Sequence, residues 1–175
     1  MALRARARQE ILLPVRTGFI ALTLGLALFA NVLPWPEGLA RVKPDFLALT
    51  LLYWCIHHPR RVGFAAGWLL GIAMDVAEAS LLGEHALAYT LLVYAGISFH
   101  RRVQMFGLGQ QVLHVLPLLL LAQAVVLLVR MAAGADFPGP LYFVPSFAGA
   151  ALWPLLAVLF ELPQRPRADP DQPAL

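Results

Sequence analysis

The chain has 175 residues, of which 60% are hydrophobic and 13% charged, with a formal net charge of +3 and a mean hydropathy of +0.72. Globular domains run nearer half apolar and about a quarter charged, because a water-facing surface needs ionised groups. The composition excludes an ordinary soluble domain and predicts lipid as the solvent. Six membrane helices of about 20 residues take roughly 120 and leave about 55 for connections and tails, too few for a soluble catalytic domain.

In chain order, the first apolar block runs from Thr17 to Leu33 behind Arg4, Arg6, Arg8 and Arg16. Its length, and the lack of a small-residue cleavage site around Asn31, Pro34, Trp35 and Pro36, predict a signal anchor rather than a cleaved signal peptide. The blocks Asp45 to Ile56 and Val62 to Met74 are short and flank His57-His58-Pro59-Arg60-Arg61, which reads as a tight helical hairpin. Each reaches spanning length only by absorbing its flanks, a re-entrant pair being the alternative. The fourth block is Ala86 to Phe99, ending at His100-Arg101-Arg102; the fifth is Val112 to Ala133 and the sixth Tyr142 to Leu162. The expected fold is an all-α integral membrane bundle of about six helices at residues 17–162. A basic segment, 1–16, precedes it. A tail at 163–175 follows, carrying Pro163, Pro166, Pro170 and Pro173, expected to be disordered.

The basic residues mark topology rather than a nucleic-acid surface, because they fall in short clusters between apolar blocks instead of along one solvated face. With the N-terminus inside, Arg4, Arg6, Arg8, Arg16, Arg60, Arg61, Arg101, Arg102, Arg165 and Arg167 lie on the cytoplasmic side, against Arg41, Lys43 and Arg130 on the other. Both termini are therefore expected in the cytoplasm. Glu37, Asp45, Asp75, Glu78, Glu84 and Asp136 fall on the outer side. Trp35, Tyr53, Trp54, Tyr142 and Phe143 lie near helix ends, where amphipathic rings favour headgroups, with Trp153 deeper. Cys55 is the single cysteine, so there is no intramolecular disulfide and no CxxC pair.

The most informative spacing is Gly63, Gly67 and Gly71, continued by Asp75. Residues four apart share a helix face, so the glycines form a groove where another backbone can approach. That groove serves either packing inside the bundle or the face for a partner's helix, with Asp75 at its outer end. Asp75, Glu78, Glu84 and His85 cluster in one outer connection, but their spacing matches no metal motif. In the fifth block Gln123 is the deep polar group and is expected to bond across helices, facing either the bundle or another protein, in which case it joins the glycines in the partner face. Arg130 reaches towards the outer headgroups, while Gln110 and His114 are one turn apart near the inner end. Pro117 and Pro154 are expected to kink their helices. No GxSxG, HExxH, Walker A or GxGxxG string occurs, so the sequence predicts no enzyme and no cofactor.

Several strings together resemble the rod shape-determining protein MreD family. They are Lys43-Pro44-Asp45-Phe46-Leu47-Ala48-Leu49 on through Tyr53-Trp54 to His57-His58-Pro59-Arg60-Arg61-Val62-Gly63, Gly67-Trp68-Leu69-Leu70-Gly71-Ile72-Ala73-Met74-Asp75, Leu82-Gly83-Glu84-His85-Ala86-Leu87-Ala88-Tyr89, His100-Arg101-Arg102 and Gln110-Gln111. The resemblance covers about Leu13 to Leu162. It implies a non-enzymatic inner-membrane scaffold of the bacterial elongation machinery. Its implied partners are MreC and, through it, MreB, RodA and the elongation-specific class B penicillin-binding protein, with membrane lipids around it and no nucleic acid. MreD is also distantly similar to the substrate-binding subunits of energy-coupling-factor transporters. The alternative is accordingly a small-solute or lipid-binding membrane protein in which Asp75, His85, Gln123 and Arg130 converge on a pocket at the outer end of the bundle.

Overall fold

The computed structural model describes residues 15–164; the basic segment before Val15 and the proline-rich tail from Arg165 lie outside the described residues, together with the arginines they carry. The described residues form α1 (Thr17–Val32), a single turn α2 (Glu37–Ala40), α3 (Phe46–His57), α4 (Phe64–Ala77), α5 (Glu84–Gln104), α6 (Leu108–Ala132) and α7 (Val144–Glu161). Two 3-10 turns, Pro140–Phe143 and Leu162–Gln164, bracket α7, and the described residues contain no strand. Each predicted apolar block forms one helix. Pro117 and Pro154 lie inside α6 and α7, which run on through them.

The central helix is α3. Leu47 through Ile56 are all buried, because α1, α5, α6 and α7 pack around it; a helix apolar on every side is stable only when surrounded. This overturns the headgroup placement of Tyr53 and Trp54, which are 1% and 0% exposed. The Trp54 indole donates to Thr23 Oγ1 at 2.9 Å and stacks on Phe160 with ring centroids 5.4 Å apart. Trp153 is deep, as expected, at 0% exposure, and donates to Gln111 Oε1 at 2.9 Å.

The expected hairpin of α3 on α4 does not form. α4 packs along α5, which stands beside α3. Nor do the two short helices absorb their flanks: with 12 and 14 residues they are about 18 and 21 Å long at 1.5 Å per residue. Local chemistry sets these limits. The Asp45 carboxylate accepts from Ala48 N at 2.9 Å and caps the start of α3, while Pro59 disfavours helix at His58.

The end of α4 is a Schellman closure: Ser80 N–H donates to the Asp75 carbonyl at 3.0 Å and Ala79 N–H to the Val76 carbonyl at 3.3 Å. Ala79 holds the left-handed position, with φ of 51°, where glycine carries no Cβ penalty. Ala79→Gly is therefore expected to raise the thermal midpoint of the purified protein by about 2–4 °C, the shift that about 1 kcal/mol gives in a chain of this size. Circular dichroism in detergent checks it, and an unchanged or lower midpoint counts against this account of the turn.

Successive long helices alternate in direction, so their polar ends sort into two groups. At one end Arg61 donates to the Val15 carbonyl and Gln104 to the Ile56 carbonyl at 2.6 Å. At the other lie Asn31, Asp45, Asp75, Glu84, Tyr89 and Arg130, bonded to one another as described below. Two segments are long and apolar enough to cross a bilayer, Leu108–Ala132 and Pro140–Gln164, with only 39% and 33% of their most apolar stretches buried. A core helix of a soluble protein would be mostly covered. Leu22, Leu26, Phe29, Leu69, Leu113, Leu128 and Leu155 are each more than half exposed, an apolar exterior suited to lipid.

Candidate functional site

The corner between α4 and α5 forms because glycine lets the two backbones touch. A Cβ on Gly71 would lie 2.3 Å from Ala86 Cα, and one on Gly67 would lie 2.9 Å from the Tyr89 carbonyl oxygen. The groove read from the glycine spacing is thus filled by α5 of the same chain, while a Cβ on Gly63 meets nothing within 4 Å. This contact brings Asp75, 1% exposed, over the start of α5. Its carboxylate accepts from Gly83 N at 2.7 Å, His85 N at 2.9 Å, His85 Nδ1 at 2.8 Å and Ser80 Oγ at 3.3 Å. Asp75 thereby caps α5 from another helix and sets the His85 ring with its Nδ1 proton inward.

Next on α5 comes Glu84, also 1% exposed. Arg130 of α6 grips it: Nε lies 3.1 Å from both carboxylate oxygens and Nη2 lies 2.6 Å from Oε1. A fork of this kind is the strong form of ion pair and gives a buried carboxylate its hydrogen-bonding partner. Arg130 therefore does more than reach towards headgroups; it ties α6 to α5.

A second knot joins α1, α3 and α5. Asp45 accepts from Asn31 Nδ2 at 2.8 Å and from the Tyr89 hydroxyl at 2.7 Å. Asn31 in turn accepts from Phe46 N at 3.0 Å, and its carbonyl from Lys43 Nζ at 2.6 Å. On the far wall Gln123 donates to the Tyr142 carbonyl at 2.5 Å and accepts from the Ser146 hydroxyl, so it faces the bundle. Between these knots is a cavity of about 300 Å³, whose walls include Lys43, Glu78, His85, Gln123, Arg130 and Tyr142.

The structure brings together Asp75, Glu84, His85 and Arg130, with Gln123 on the same cavity; Gly67 and Gly71 lie behind this cluster and shape it. Carboxylate and imidazole atoms of Asp75, Glu84 and His85 fall within 4.8 Å of one another. A cation there would have to displace the Arg130 fork and the backbone donors on Asp75. Among the described residues every side-chain nitrogen and oxygen that is sealed off from both solvent and cavity has a hydrogen-bond partner. His114, at the opposite end, stacks on Phe106 at 4.6 Å and meets the Gln110 carbonyl at 3.3 Å. Sequence reasoning missed the knot of Asn31, Lys43, Asp45 and Tyr89, and also Tyr142 and Ser146. A usable signal existed, since alternating helix directions put the polar residues flanking each apolar block at the same level.

Fold and site together define an all-helical bundle with a lipid-suited exterior and a network of buried ionic and polar groups at one end. The profile of the family described as rod shape-determining protein MreD matches residues 15–162. Rod shape-determining protein MreD of Haemophilus influenzae (strain ATCC 51907 / DSM 11121 / KW20 / Rd) is 29% identical over 134 residues, covering 77% of this chain and 83% of that protein. The chain belongs to the MreD family, a family of membrane proteins involved in rod-shape determination. No solved structure matches it.

Proposed function

We propose that the protein is a non-enzymatic, multi-pass scaffold of the bacterial inner membrane. In this reading α1 and α3 through α7 all lie in the bilayer, with both termini in the cytoplasm. Its role is to dock MreC and, through it, to help organise MreB, RodA and the elongation-specific class B penicillin-binding protein in side-wall peptidoglycan synthesis. Family membership over residues 15–162 carries this reading. The arginine bias supports the orientation, and the thickness mismatch of α3 and α4 is met by local thinning of the bilayer or by their burial in the bundle.

Because α5 already fills the groove at Gly67 and Gly71, the face offered to MreC is the opposite side of α4. There Leu69 and Val76, 60% and 66% exposed, share one stripe, with Trp68, 53% exposed, at its edge. α4 leans on α5 and is otherwise peripheral, so a partner's helix can reach that stripe without disturbing the bundle. A photocrosslinking residue placed in cells at Trp68 or Leu69 is expected to capture MreC, and one at Leu113, on the other side of the bundle, is not. Capture from neither α4 position, with the protein present in the membrane fraction, removes this face from consideration.

A second reading, a membrane protein binding a small solute or lipid, is favoured by one observation, the polar cavity between the two knots. It is compatible with scaffolding, since the cavity and the α4 stripe are different surfaces.

A further inference from the structure

The cavity has more hydrogen-bonding capacity than the chain itself uses. Lys43, half-buried, donates to the Asn31 carbonyl at 2.6 Å and pairs with no carboxylate among the described residues. Arg130 commits Nε and one Nη2 proton to Glu84, which leaves the Nη1 edge of its fork free. Tyr142, on the same wall, adds a hydroxyl with no hydrogen-bond partner among the described residues. On the accepting side are two groups. Glu78 Oε2 is 3.8 Å from His85 Nε2, too far for a hydrogen bond. His85 Nε2, on the cavity side of a ring whose Nδ1 donates to Asp75, has no hydrogen-bond partner among the described residues.

The remaining charges near the cavity are already answered. Asp45 is bonded by Asn31, Ala48 and Tyr89, Asp75 by the start of α5, and Glu84 by Arg130. What meets a ligand is therefore an ammonium that pairs with no carboxylate among the described residues and half a guanidinium, set against the Glu78 carboxylate, which accepts no hydrogen bond among them. A simple anion would leave Glu78 opposed, and a simple cation would leave Lys43 opposed. Behind these groups the floor is apolar, formed by Leu49, Met74, Leu119, Ala122 and Val126. The volume, about 300 Å³, lies at the small end of small-molecule pockets; it takes a headgroup or a compact solute but not a two-chain lipid.

We propose that this cavity binds a zwitterion, with a phosphate or carboxylate held by Lys43, Arg130 and Tyr142, and an ammonium held by Glu78 with His85 Nε2. Such charge-assisted hydrogen bonds supply selectivity as well as affinity. A lipid headgroup of the ethanolamine phosphate type and a free zwitterionic solute share this chemistry. The inference deepens the pocket reading above and rests on the bundle lying in a membrane.

The test is native mass spectrometry of the full chain in nanodiscs holding equal phosphatidylethanolamine and phosphatidylglycerol, the latter lacking an ammonium. Wild type is expected to retain one phosphatidylethanolamine with about a tenfold preference, in line with one hydrogen-bonded charge. Glu78→Gln should lower that preference severalfold, whereas Lys43→Met, which removes a phosphate contact common to both lipids, should lower retention of both severalfold. Ala122→Leu, which fills the floor without touching the polar groups, should abolish retention; Glu78→Gln alters a rim residue and keeps the test open if the leucine variant misfolds. In a second arm, glycerophosphoethanolamine and glycerophosphoglycerol are added to the detergent-purified protein and the thermal midpoint is read. A rise with the ethanolamine compound alone, without retained lipid, supports the proposal with a free solute as its source. Equal retention of both lipids together with equal shifts from both soluble heads overturns it. Carbonate extraction of the same cells checks the membrane reading separately, so a membrane-embedded chain that fails to discriminate sinks the ligand alone.

Discussion

Arg130→Met is expected to lower the thermal midpoint by roughly 6–20 °C. The substitution leaves Glu84, 1% exposed, as a carboxylate without its forked partner, and breaking one side of a buried ion pair costs about 3–5 kcal/mol. At about 2–4 °C per kcal/mol for a chain of this length, the range follows. The double variant Glu84→Gln, Arg130→Met removes the stranded charge and should recover most of the loss, giving a coupling of about 2 kcal/mol or more in a double-mutant cycle. Additive losses in the double variant would show that the fork seen between α5 and α6 contributes little, and Arg130 would revert to a residue that merely reaches the headgroups.

Gly71→Leu should be as damaging, for a steric reason. The added Cβ alone would lie 2.3 Å from Ala86 Cα and 2.5 Å from Ala86 N, and backbone atoms cannot rotate away as a side chain can. α4 would have to draw back from α5, taking the Asp75 carboxylate off Gly83 N and His85 N and opening the start of α5. Overpacking a tight core costs about 1–3 kcal/mol and more where backbone is the obstacle, so the folded fraction after membrane extraction should fall sharply. Gly63→Leu is the control, since a Cβ there meets nothing within 4 Å and surface-like changes cost within about 0.5 kcal/mol. Size-exclusion profiles in detergent and limited proteolysis read both; equal behaviour of the two variants would sink the close-contact account of α4 on α5.

These variants also show how far the sequence could be read. The four-residue glycine period was legible because it needs only helical geometry, and the structure does bring a backbone into the groove at Gly67 and Gly71. Which backbone arrives was not legible, because periodicity describes one helix and contains nothing about its neighbour. Trp54 shows the same limit from the other side. Near a helix end it resembles a headgroup anchor, and only the packing of α1 and α7 over that end makes it a core residue. Asp75, Glu84 and His85 were within reach as a cluster, being close in sequence. Their bond to Arg130, 46 residues beyond Glu84, was not.

Composition and the spacing of apolar blocks by themselves determined that the described residues are helical and where the six main helices run. Those properties depend on transfer of apolar surface from water and on backbone hydrogen bonding, which act locally along the chain. Tertiary structure alone decided that α3 is the axis, that α4 folds onto α5 rather than back onto α3, and that Asn31, Asp45 and Tyr89 share one knot above a polar cavity. These depend on steric fit and hydrogen-bond direction between residues far apart in sequence, which no one-dimensional pattern encodes.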